Sequence, residues 1–313
     1  MIWGNTPSLP SDPSHYLDAV DRQITGGASS TGRANIVFAN LEGTLTTATA
    51  GKCGRPNGGD CFNFRNPPHY AKYFKADGFT IVNDANNHSH DFGQTGLDQT
   101  LRAVHRAGMK QTGLPGQITV VHAGGQPVAI VGFAPYAGTA DMLRLDDAAA
   151  LIRKARTKAR VVIVYMHAGA EGSDRQHVTG HEEYYVGEDR GNAKKFAHLA
   201  IRSGASLVIA SGPHVLRGMQ FYKNHLIAYS LGNFANFHNF GGGGVLSDSA
   251  ILHVRLRPSG RFVSGKLIPV LLDGEGHPSI GGPSIAVVRR LSKSDFGSHA
   301  PRLSRHGVIR RPA

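Results

Sequence analysis

Side chains of the types that bind metal ions follow five apolar, β-branched runs in this chain of 313 residues. Each of these runs is a candidate for a buried strand. The polar residues that come directly after the runs are Asn40 and Glu42, the segment 86–91, His167 and Glu171, His214, and Asn233. Because the carboxyl ends of parallel strands meet at one edge of a sheet, we expect these distant residues to converge there.

The chemistry available at such an edge is metal-assisted hydrolysis. Imidazole, carboxylate and amide oxygen together suit Mn, Zn or Fe, and no thiolate follows a strand. Two such ions, about 3.5–4 Å apart, can hold the attacking and leaving oxygens of a phosphoryl displacement. The donor set therefore favours hydrolysis over redox chemistry, with one or two divalent metal ions as the cofactor.

The elements that must position these residues have the pattern of a mainly parallel α/β sheet. The predicted strands are 35–39, 79–83, 118–122, 128–133, 161–166, 206–210 and 226–230. Apolar residues at helical spacing predict helices between several of them, two of which end at Gly108 and Gly204. The runs 250–256 and 266–272 predict a hairpin, and Asp12 with Pro13 predicts a helix near the start of the chain.

Four longer stretches then resemble, in order, the signatures of the CapA family, which is named for poly-γ-glutamate capsule synthesis. They are FANLEGTLT (38–46), ANNHSHDFGQTGLDQTL (85–101), VVIVYMHAGAEG (161–172) and GASLVIASGPHVLRGMQFYKNHLIAYSLGNF (204–234). The resemblance covers roughly residues 1–245. It implies the fold of calcineurin-like metallophosphoesterases, a metallo-dependent phosphatase-like αββα sandwich with mixed sheets.

Metal ligands are the first set of roles that the resemblance implies. The motif at Glu42 matches a carboxylate near or between the metal ions, and Asn87 matches an amide ligand. His167 matches a histidine that follows a strand, and His214 matches the second histidine of the family's His-Pro-His motif.

Catalytic residues are the second set of roles that the resemblance implies. His88 matches the group that faces the leaving oxygen as general acid or transition-state stabiliser, and Asp91 is its natural orienting partner. Asp91 could equally cap a helix that begins near Thr95. Glu171 and Asn233 could contact the metal ligands without binding the metal, or they could organise their own loops.

This sequence departs from the family's pattern at two places. Gly212 stands where the first histidine of His-Pro-His is expected. The segment 1–5 resembles only the residues that come after the family's first strand, whose aspartate binds metal, so that first strand is apparently missing. Fewer ligands imply weaker or single-metal binding, and we expect the natural protein to begin upstream of Met1 with this strand and an export signal.

The two cysteines, Cys53 and Cys61, bracket a glycine-rich segment. They favour a disulfide and therefore an oxidising, extracytoplasmic location, secreted or associated with the cell envelope. The alternative is two unrelated thiols in a cytosolic protein. The chain as given has neither a signal peptide nor an apolar run of 18 residues.

Charge divides the chain into a domain at 1–288 and a basic tail at 289–313. The formal net charge is +12, and the tail holds seven Lys and Arg residues against one acidic residue. Such a composition is typical of a solvated, disordered end, or of a segment that contacts an anionic polymer or membrane surface.

Two functions remain open from the sequence. One is a metal-dependent phosphoesterase-type hydrolase that acts on a cell-envelope polymer or its precursor. The other is a non-catalytic envelope protein that binds an anionic polymer such as polyglutamate during capsule synthesis or export. The expected partners are an anionic polymer or a phosphate ester, and other capsule-synthesis proteins. We expect no nucleic-acid partner and at most peripheral contact with a membrane.

Overall fold

A computed structural model describes residues 12–26, 36–53, 61–237 and 243–312. The helices are α1 (Asp21–Ile24), α2 (Ala71–Ala76), α3 (Gly93–Arg106), α4 (Leu145–Lys158), α5 (Ala193–Arg202) and α6 (Ser284–Phe296), with 3-10 turns at Pro13–His15, Pro68–Tyr70, Gly244–Leu246 and Gly297–His299. The strands are β1 (Phe38–Asn40), β2 (Thr44–Leu45), β3 (Arg65–Asn66), β4 (Ile81–Asn83), β5 (Lys110–Thr112), β6 (Thr119–Ala123), β7 (Gln126–Phe133), β8 (Val161–His167), β9 (Tyr184–Tyr185), β10 (Glu188–Asp189), β11 (Leu207–Ser211), β12 (Met219–Tyr222), β13 (His225–Ala228), β14 (Asp248–Leu256), β15 (Phe262–Leu272), β16 (Pro278–Ile280), β17 (Arg302–Leu303) and β18 (Val308–Arg310).

Two sheets form the centre of the molecule. The larger has the order β12-β13-β11-β8-β7-β6, with β13, β11, β8 and β7 parallel and an antiparallel strand at each edge. The smaller is parallel, with the order β1-β4-β5. Successive side chains of a strand point to opposite faces. In β4, Ile81 accordingly packs with Val128, Ile130 and Val161 of the larger sheet, whereas Val82 packs in the cluster that holds the helical residues.

Helices cover the outer faces of both sheets. The apolar sides of α4 and α5 pack on β7, β8 and β11 through residues such as Ile152 and Phe196. On the other side, Val104 of α3 and Phe74 of α2 pack with Val82. The layers therefore follow the αββα order, and the expected fold class, α/β with mixed sheets, is confirmed.

The sequence predicted the core strands and helices well, with one exception near the start. Each of the seven predicted strands overlaps an observed one, and the predicted hairpin is β14–β15. The helix predicted from Pro13 is not continuous. Asp12 caps only a short 3-10 turn, and the backbone leaves the helical region at Val20 before the four-residue α1. Residues 1–11, on which the prediction of a missing first strand depends, lie outside the described residues.

The prediction of a disordered basic tail after residue 288 is wrong for residues 289–312. The proposed boundary falls inside α6, which buries Val288, Leu291 and Phe296. Leu303 of β17 and Ile309 of β18 are also buried, in one cluster with Leu267 of β15. The prediction was based on charge, but the basic residues lie between apolar ones that face the core. The segment therefore folds onto β14 and β15, and β18 and β17 extend their sheet in the order β14-β15-β18-β17.

Cys53 and Cys61 form a disulfide, as expected. Among the described residues, no helix is both long enough and apolar enough to span a bilayer.

Candidate functional site

The carboxyl ends of both central sheets carry the site. Glu42 follows β1, Asn87 and His88 follow β4, His167 ends β8, and His214 follows β11. Because β1 is parallel to β4 and β8 is parallel to β11, these ends lie side by side within each sheet. The structure thus brings together the residues that the strand pattern selected.

Glu42 lies at the centre of this group and is fully buried. Its Oε1 is 3.7 Å from Nε2 of His167 and 3.6 Å from Nε2 of His214. Its Oε2 accepts a hydrogen bond from Asn40 at 3.1 Å. The second oxygen is therefore held by the protein, while the first is directed towards two imidazoles from different strands.

His214 is held in an unusual backbone conformation, with a φ of 60°. A non-glycine residue rarely adopts this conformation, and such strain tends to occur at functional sites. Nδ1 of His214 lies 2.8 Å from Oδ1 of Asn233, whose Nδ2 donates to the carbonyls of His214 and Leu246. Asn233 therefore fixes the ring so that Nε2 points to Glu42 and to Oε2 of Glu171, 3.5 Å away.

His167 is neutral in this environment. Burial is the main cause that lowers the pKa of His167 well below its usual value, and the positive charge of Arg190 adds to the effect. The neutral imidazole is the form that binds metal ions. Its Nε2 has no hydrogen-bond partner in the structure.

Three buried polar atoms in this group are without a hydrogen-bond partner: Oε1 of Glu42, Oδ1 of Asn87 and Nε2 of His167. Leaving such an atom unsatisfied costs about 1–3 kcal/mol. All three are electron-pair donors of the kind that a divalent cation accepts. Within the described ranges, no three or more His, Cys, Asp or Glu side chains are grouped so that they could bind a metal ion by themselves. The fit to a cation therefore rests on these unpaired atoms and includes an amide oxygen.

A second cluster lies beside the first. Nδ1 of His88 is 2.9 Å from Oδ2 of Asp91, and Oδ1 of Asp91 is 2.8 Å from Nζ of Lys52. Oδ2 also accepts the backbone N–H of Phe64. Asp91 does not cap a helix, because α3 begins at Gly93 and has no side-chain cap. Of the two roles considered for Asp91 from the sequence, helix cap and partner of His88, the structure shows the second, with the carboxylate beside Nδ1 of His88.

Arg190 is the main residue of this region that the sequence did not reveal. Its Nη1 is 2.8 Å from Oε1 of Glu171, and the guanidinium lies over the rings of Tyr136 and Tyr185. The ion pair fixes Glu171, so that its other oxygen faces His214. No local sequence pattern could have predicted this ion pair, because Glu171 follows β8 whereas Arg190 follows β10. The same holds for Lys52, which directly precedes Cys53 in the sequence.

A buried ion pair supports the loop that carries Glu171. Arg217 is fully buried and donates to both carboxylate oxygens of Glu183. Glu183 also accepts the backbone N–H of Ala170, and Arg217 donates to the carbonyl of Arg175. The loop is therefore fixed at several points around the candidate site.

Gly212 departs from the family pattern for a reason that the backbone makes clear. Its φ is 125°, and a Cβ at this position would lie 3.1 Å from both the N and the O of Ala168. A histidine here would be strained and crowded. The backbone conformation at residue 212 therefore suits glycine and does not suit the expected histidine.

Comparisons with known proteins give a family match over most of the chain. Residues 21–238 match the family described as "Bacterial capsule synthesis protein PGA_cap". The chain is 27% identical over 239 residues to the "PGA biosynthesis protein CapA" of Bacillus subtilis (strain 168), covering 64% of this chain and 58% of that protein. It is 27% identical over 228 residues to the "Capsule biosynthesis protein CapA" of Bacillus anthracis, covering 66% and 51%.

Solved structures give weaker likenesses. A hypothetical protein from Thermus thermophilus overlaps 82% of this chain and 90% of its own, with 15% identity and a TM-score of 0.45. A 5'-nucleotidase precursor from the same organism covers 72% of this chain and 45% of its own, with 12% identity and a TM-score of 0.39. Neither score reaches 0.5, so the description of the fold rests on the sheets of this chain.

Proposed function

Because this chain belongs to the bacterial capsule synthesis protein family PGA_cap, we propose that it acts in the synthesis of a capsule or another cell-envelope polymer as a metal-dependent hydrolase of the phosphoesterase type. The chain spans 58% and 51% of the length of the two CapA relatives. The substrate proposed here is a phosphate ester of an envelope polymer or of its precursor.

The observation that carries this proposal is the convergence of unpaired donor atoms at Glu42, Asn87 and His167, with Nε2 of His214 close to the same carboxylate. These four residues would hold one or two ions of Mn, Zn or Fe. Once bound, the ions would supply Lewis-acid polarisation of the substrate oxygens.

His88 is the proposed proton carrier. Asp91 accepts from its Nδ1, so Nε2 is the atom that gives or takes a proton. Lys52 balances the charge of the buried Asp91, which keeps the carboxylate available to orient the ring. The role proposed for His88 is therefore to protonate the leaving oxygen.

The proposed location is outside the cytoplasm. The Cys53–Cys61 disulfide supports an oxidising compartment, and the names of the relatives refer to capsule biosynthesis. The proposed partners are an anionic envelope polymer and other capsule-synthesis proteins, with no nucleic-acid partner.

Metal analysis of the purified protein tests this function, together with hydrolysis of bis(p-nitrophenyl) phosphate in added Mn. We expect His167→Ala and His214→Ala to lower metal content. His88→Ala should keep the metal but lower kcat by about 10²–10⁴. His122→Ala, at an exposed histidine of β6, is the matched control and should change neither quantity. Metal-free wild-type protein without Mn-stimulated turnover would refute the hydrolase proposal.

The second candidate function is non-catalytic binding of an anionic polymer such as polyglutamate. Gly212 in place of a ligand, and the lack of a ready-made cage among the described residues, favour it. Polymer binding by protein that holds no metal and has no hydrolytic activity would support this alternative over the first.

A further inference from the structure

The disulfide joins two short segments of the chain that both contact Asp91. We call residues 51–53, which end at Cys53, the first arm, and residues 61–64, which begin at Cys61, the second arm. The carboxylate that they reach is fully buried. The disulfide is therefore the covalent link between two groups of contacts to one buried side chain.

The first arm acts through Lys52. The backbone N–H of Lys52 donates to the carbonyl of Asp91 at 2.7 Å, and its Nζ lies 2.8 Å from Oδ1 of the same residue. Nζ also donates to the carbonyl of Asn87 at 3.0 Å. One residue of the first arm thus contacts both the backbone and the side chain of Asp91.

The second arm acts through Phe64. Its backbone N–H donates to Oδ2 of Asp91, the oxygen that also lies 2.9 Å from Nδ1 of His88. The ring of Phe64 packs on the imidazole of His88, with 4.2 Å between the ring centroids. The second arm therefore limits both the position of the carboxylate and the rotation of the imidazole.

The two arms are anchored differently in the fold. The backbone N–H and the hydroxyl of Thr44 donate to the carbonyl of Phe64, at 3.0 and 2.8 Å, and β3 follows directly beside β2. The first arm belongs to no strand or helix. It packs closely on the second, because a Cβ added at Gly51 would lie 2.6 Å from Nδ2 of Asn63. The disulfide therefore fastens the arm outside the sheets to the arm that β3 anchors.

We propose that the Cys53–Cys61 disulfide positions His88 for proton transfer, and that breaking it lowers kcat while the metal site stays intact. The inference rests on the role of His88 in the proposed function, whereas the contacts of the two arms do not depend on that role. Without the bond, the first arm is held by noncovalent contacts of Lys52, whose side chain is 37% exposed. Such an ion pair contributes little by itself. Asp91 then no longer holds the imidazole in one orientation.

The metal-binding side chains are held by other parts of the fold. Asn40 donates to Oε2 of Glu42, and Oδ1 of Asn233 lies 2.8 Å from Nδ1 of His214. Neither Asn40 nor Asn233 belongs to an arm. Loss of the disulfide should therefore leave these ligands in place, so metal content separates the proposal from a general loss of structure.

The variant Cys53→Ser/Cys61→Ser tests the proposal through hydrolysis of bis(p-nitrophenyl) phosphate in added Mn. We expect kcat to fall roughly tenfold, the lower end of the loss typical for an orienting partner, with KM and metal content unchanged. Ile309→Ala is the matched control, because it removes a buried side chain near β15 and lowers stability to a comparable extent. At a temperature well below both melting transitions, the control should keep the kcat of the wild type.

The proton on Nδ1 of His88 gives a readout that does not depend on turnover. In the wild type it is held against Asp91 and should give a downfield signal in a proton–nitrogen correlation spectrum, identified by its absence in His88→Ala. This signal should broaden or vanish in the double serine variant and persist in Ile309→Ala. Hydrogen exchange of the Lys52 and Phe64 amides, which both donate to Asp91, should accelerate only in the double serine variant.

Lys52 allows a test in which the disulfide stays in place. Lys52→Met should lower kcat by about two- to fivefold, since a partly exposed ion pair contributes little. Lys52→Arg should keep most of the activity, because a guanidinium can also pair with Asp91. Lys158→Met, at an exposed position of α4, is the matched control and should leave kcat unchanged.

Several outcomes would overturn the proposal. These are full kcat in the double serine variant, an equal loss in Ile309→Ala, or full activity in Lys52→Met. Loss of metal from the double serine variant would mean that the first arm acts on Asn87 instead of on the proton carrier.

Failure of the proposed function remains distinguishable from failure of this inference. A wild type without turnover would refute the hydrolase, and the signal of His88 and the amide exchange would still show whether the disulfide holds this side chain. An unchanged signal and unchanged exchange in the double serine variant would refute the positioning role whatever the activity.

Discussion

Replacing Asp91 with asparagine should break the cluster that orients His88 while preserving the volume of the side chain. The carboxylate is fully buried and makes three contacts, to Nδ1 of His88, to Nζ of Lys52 and to the backbone N–H of Phe64. Asparagine keeps one acceptor oxygen but places an amide donor where the second oxygen lay. At least one of the three donors must then lose its partner.

The magnitude follows from the burial of each partner. Lys52 is 37% exposed and can turn to solvent, so its ion pair contributes about 0–1 kcal/mol. His88 is 9% exposed and has no such escape, and a hydrogen bond to a charged group contributes about 1.5–3 kcal/mol. We therefore expect a loss of about 2–4 kcal/mol in the free energy of unfolding, and a fall in melting temperature of roughly 4–10 °C.

Chemical denaturation and calorimetry of Asp91→Asn, His88→Ala and the double variant measure this effect. The two residues are in contact, so the cycle should give an interaction energy of about 0.5–3 kcal/mol. Asp98→Asn on α3 is the control, because its carboxylate accepts only an exposed hydrogen bond from Gln94. It should change stability by less than about 0.5 kcal/mol.

The reasoning also predicts activity. Loss of an orienting group typically lowers activity by about 10–100-fold, less than the loss of His88 itself. Additive effects of Asp91→Asn and His88→Ala on stability, with full turnover in the former, would refute the role given to this carboxylate.

Three further predictions concern other parts of the chain. Burial, with repulsion from Asp18 and Asp21, raises the pKa of Asp77 from 3.8 to about 7, so its folded form holds a proton that the unfolded chain has lost, and stability should fall as pH rises from 4 to 7. Asp77→Asn should therefore raise the melting temperature at pH 8 and not at pH 4. Gly212→His should lower stability by about 1–3 kcal/mol without raising metal content, because of the strained φ and the contact with Ala168. Reducing the disulfide should lower stability by about 2.5 kcal/mol, given a separation of 8 residues.

Each of these has a measurement that could contradict it. For Asp77, calorimetry across pH should show the gap between wild type and variant widening as pH rises, and a constant gap would remove the titration from the explanation. For Gly212→His, mass spectrometry measures the metal content and a melting curve measures the stability. A stable variant with more metal would show that the backbone can relax. For the disulfide, intact mass without reductant should show the loss of two hydrogens, and free thiols would contradict the bond.

Local sequence was sufficient to predict most of the strands and the polar side chains that follow them. Runs such as 161–166 are β-branched and apolar, a composition that fits the pleated, buried surface of a central strand. Polar side chains at the ends of parallel strands must converge, whichever strands are neighbours. This rule places His167 and His214 together at one end of the larger sheet, whereas their contact with Glu42 depends on how the smaller sheet packs against the larger.

Interactions across the fold were not predictable in the same way. Lys52 contacts Asp91 and Arg190 contacts Glu171, and neither pair has a spacing that a helix or strand would reveal. The choice between helix cap and imidazole partner for Asp91 depended on where α3 begins, a boundary that sequence patterns locate poorly.

The sequence by itself determined the order of the strands and helices, the types of side chain at the strand ends and the excess of positive charge. Only the tertiary structure decided that the charged segment after residue 288 folds, because the burial of Leu291, Leu303 and Ile309 requires the surface that β15 provides. It also decided which carboxylate meets which cation. Apolar and hydrogen-bonding periodicity acts over a few residues, whereas pairing between charges depends on the packing of elements that the sequence separates by tens of residues.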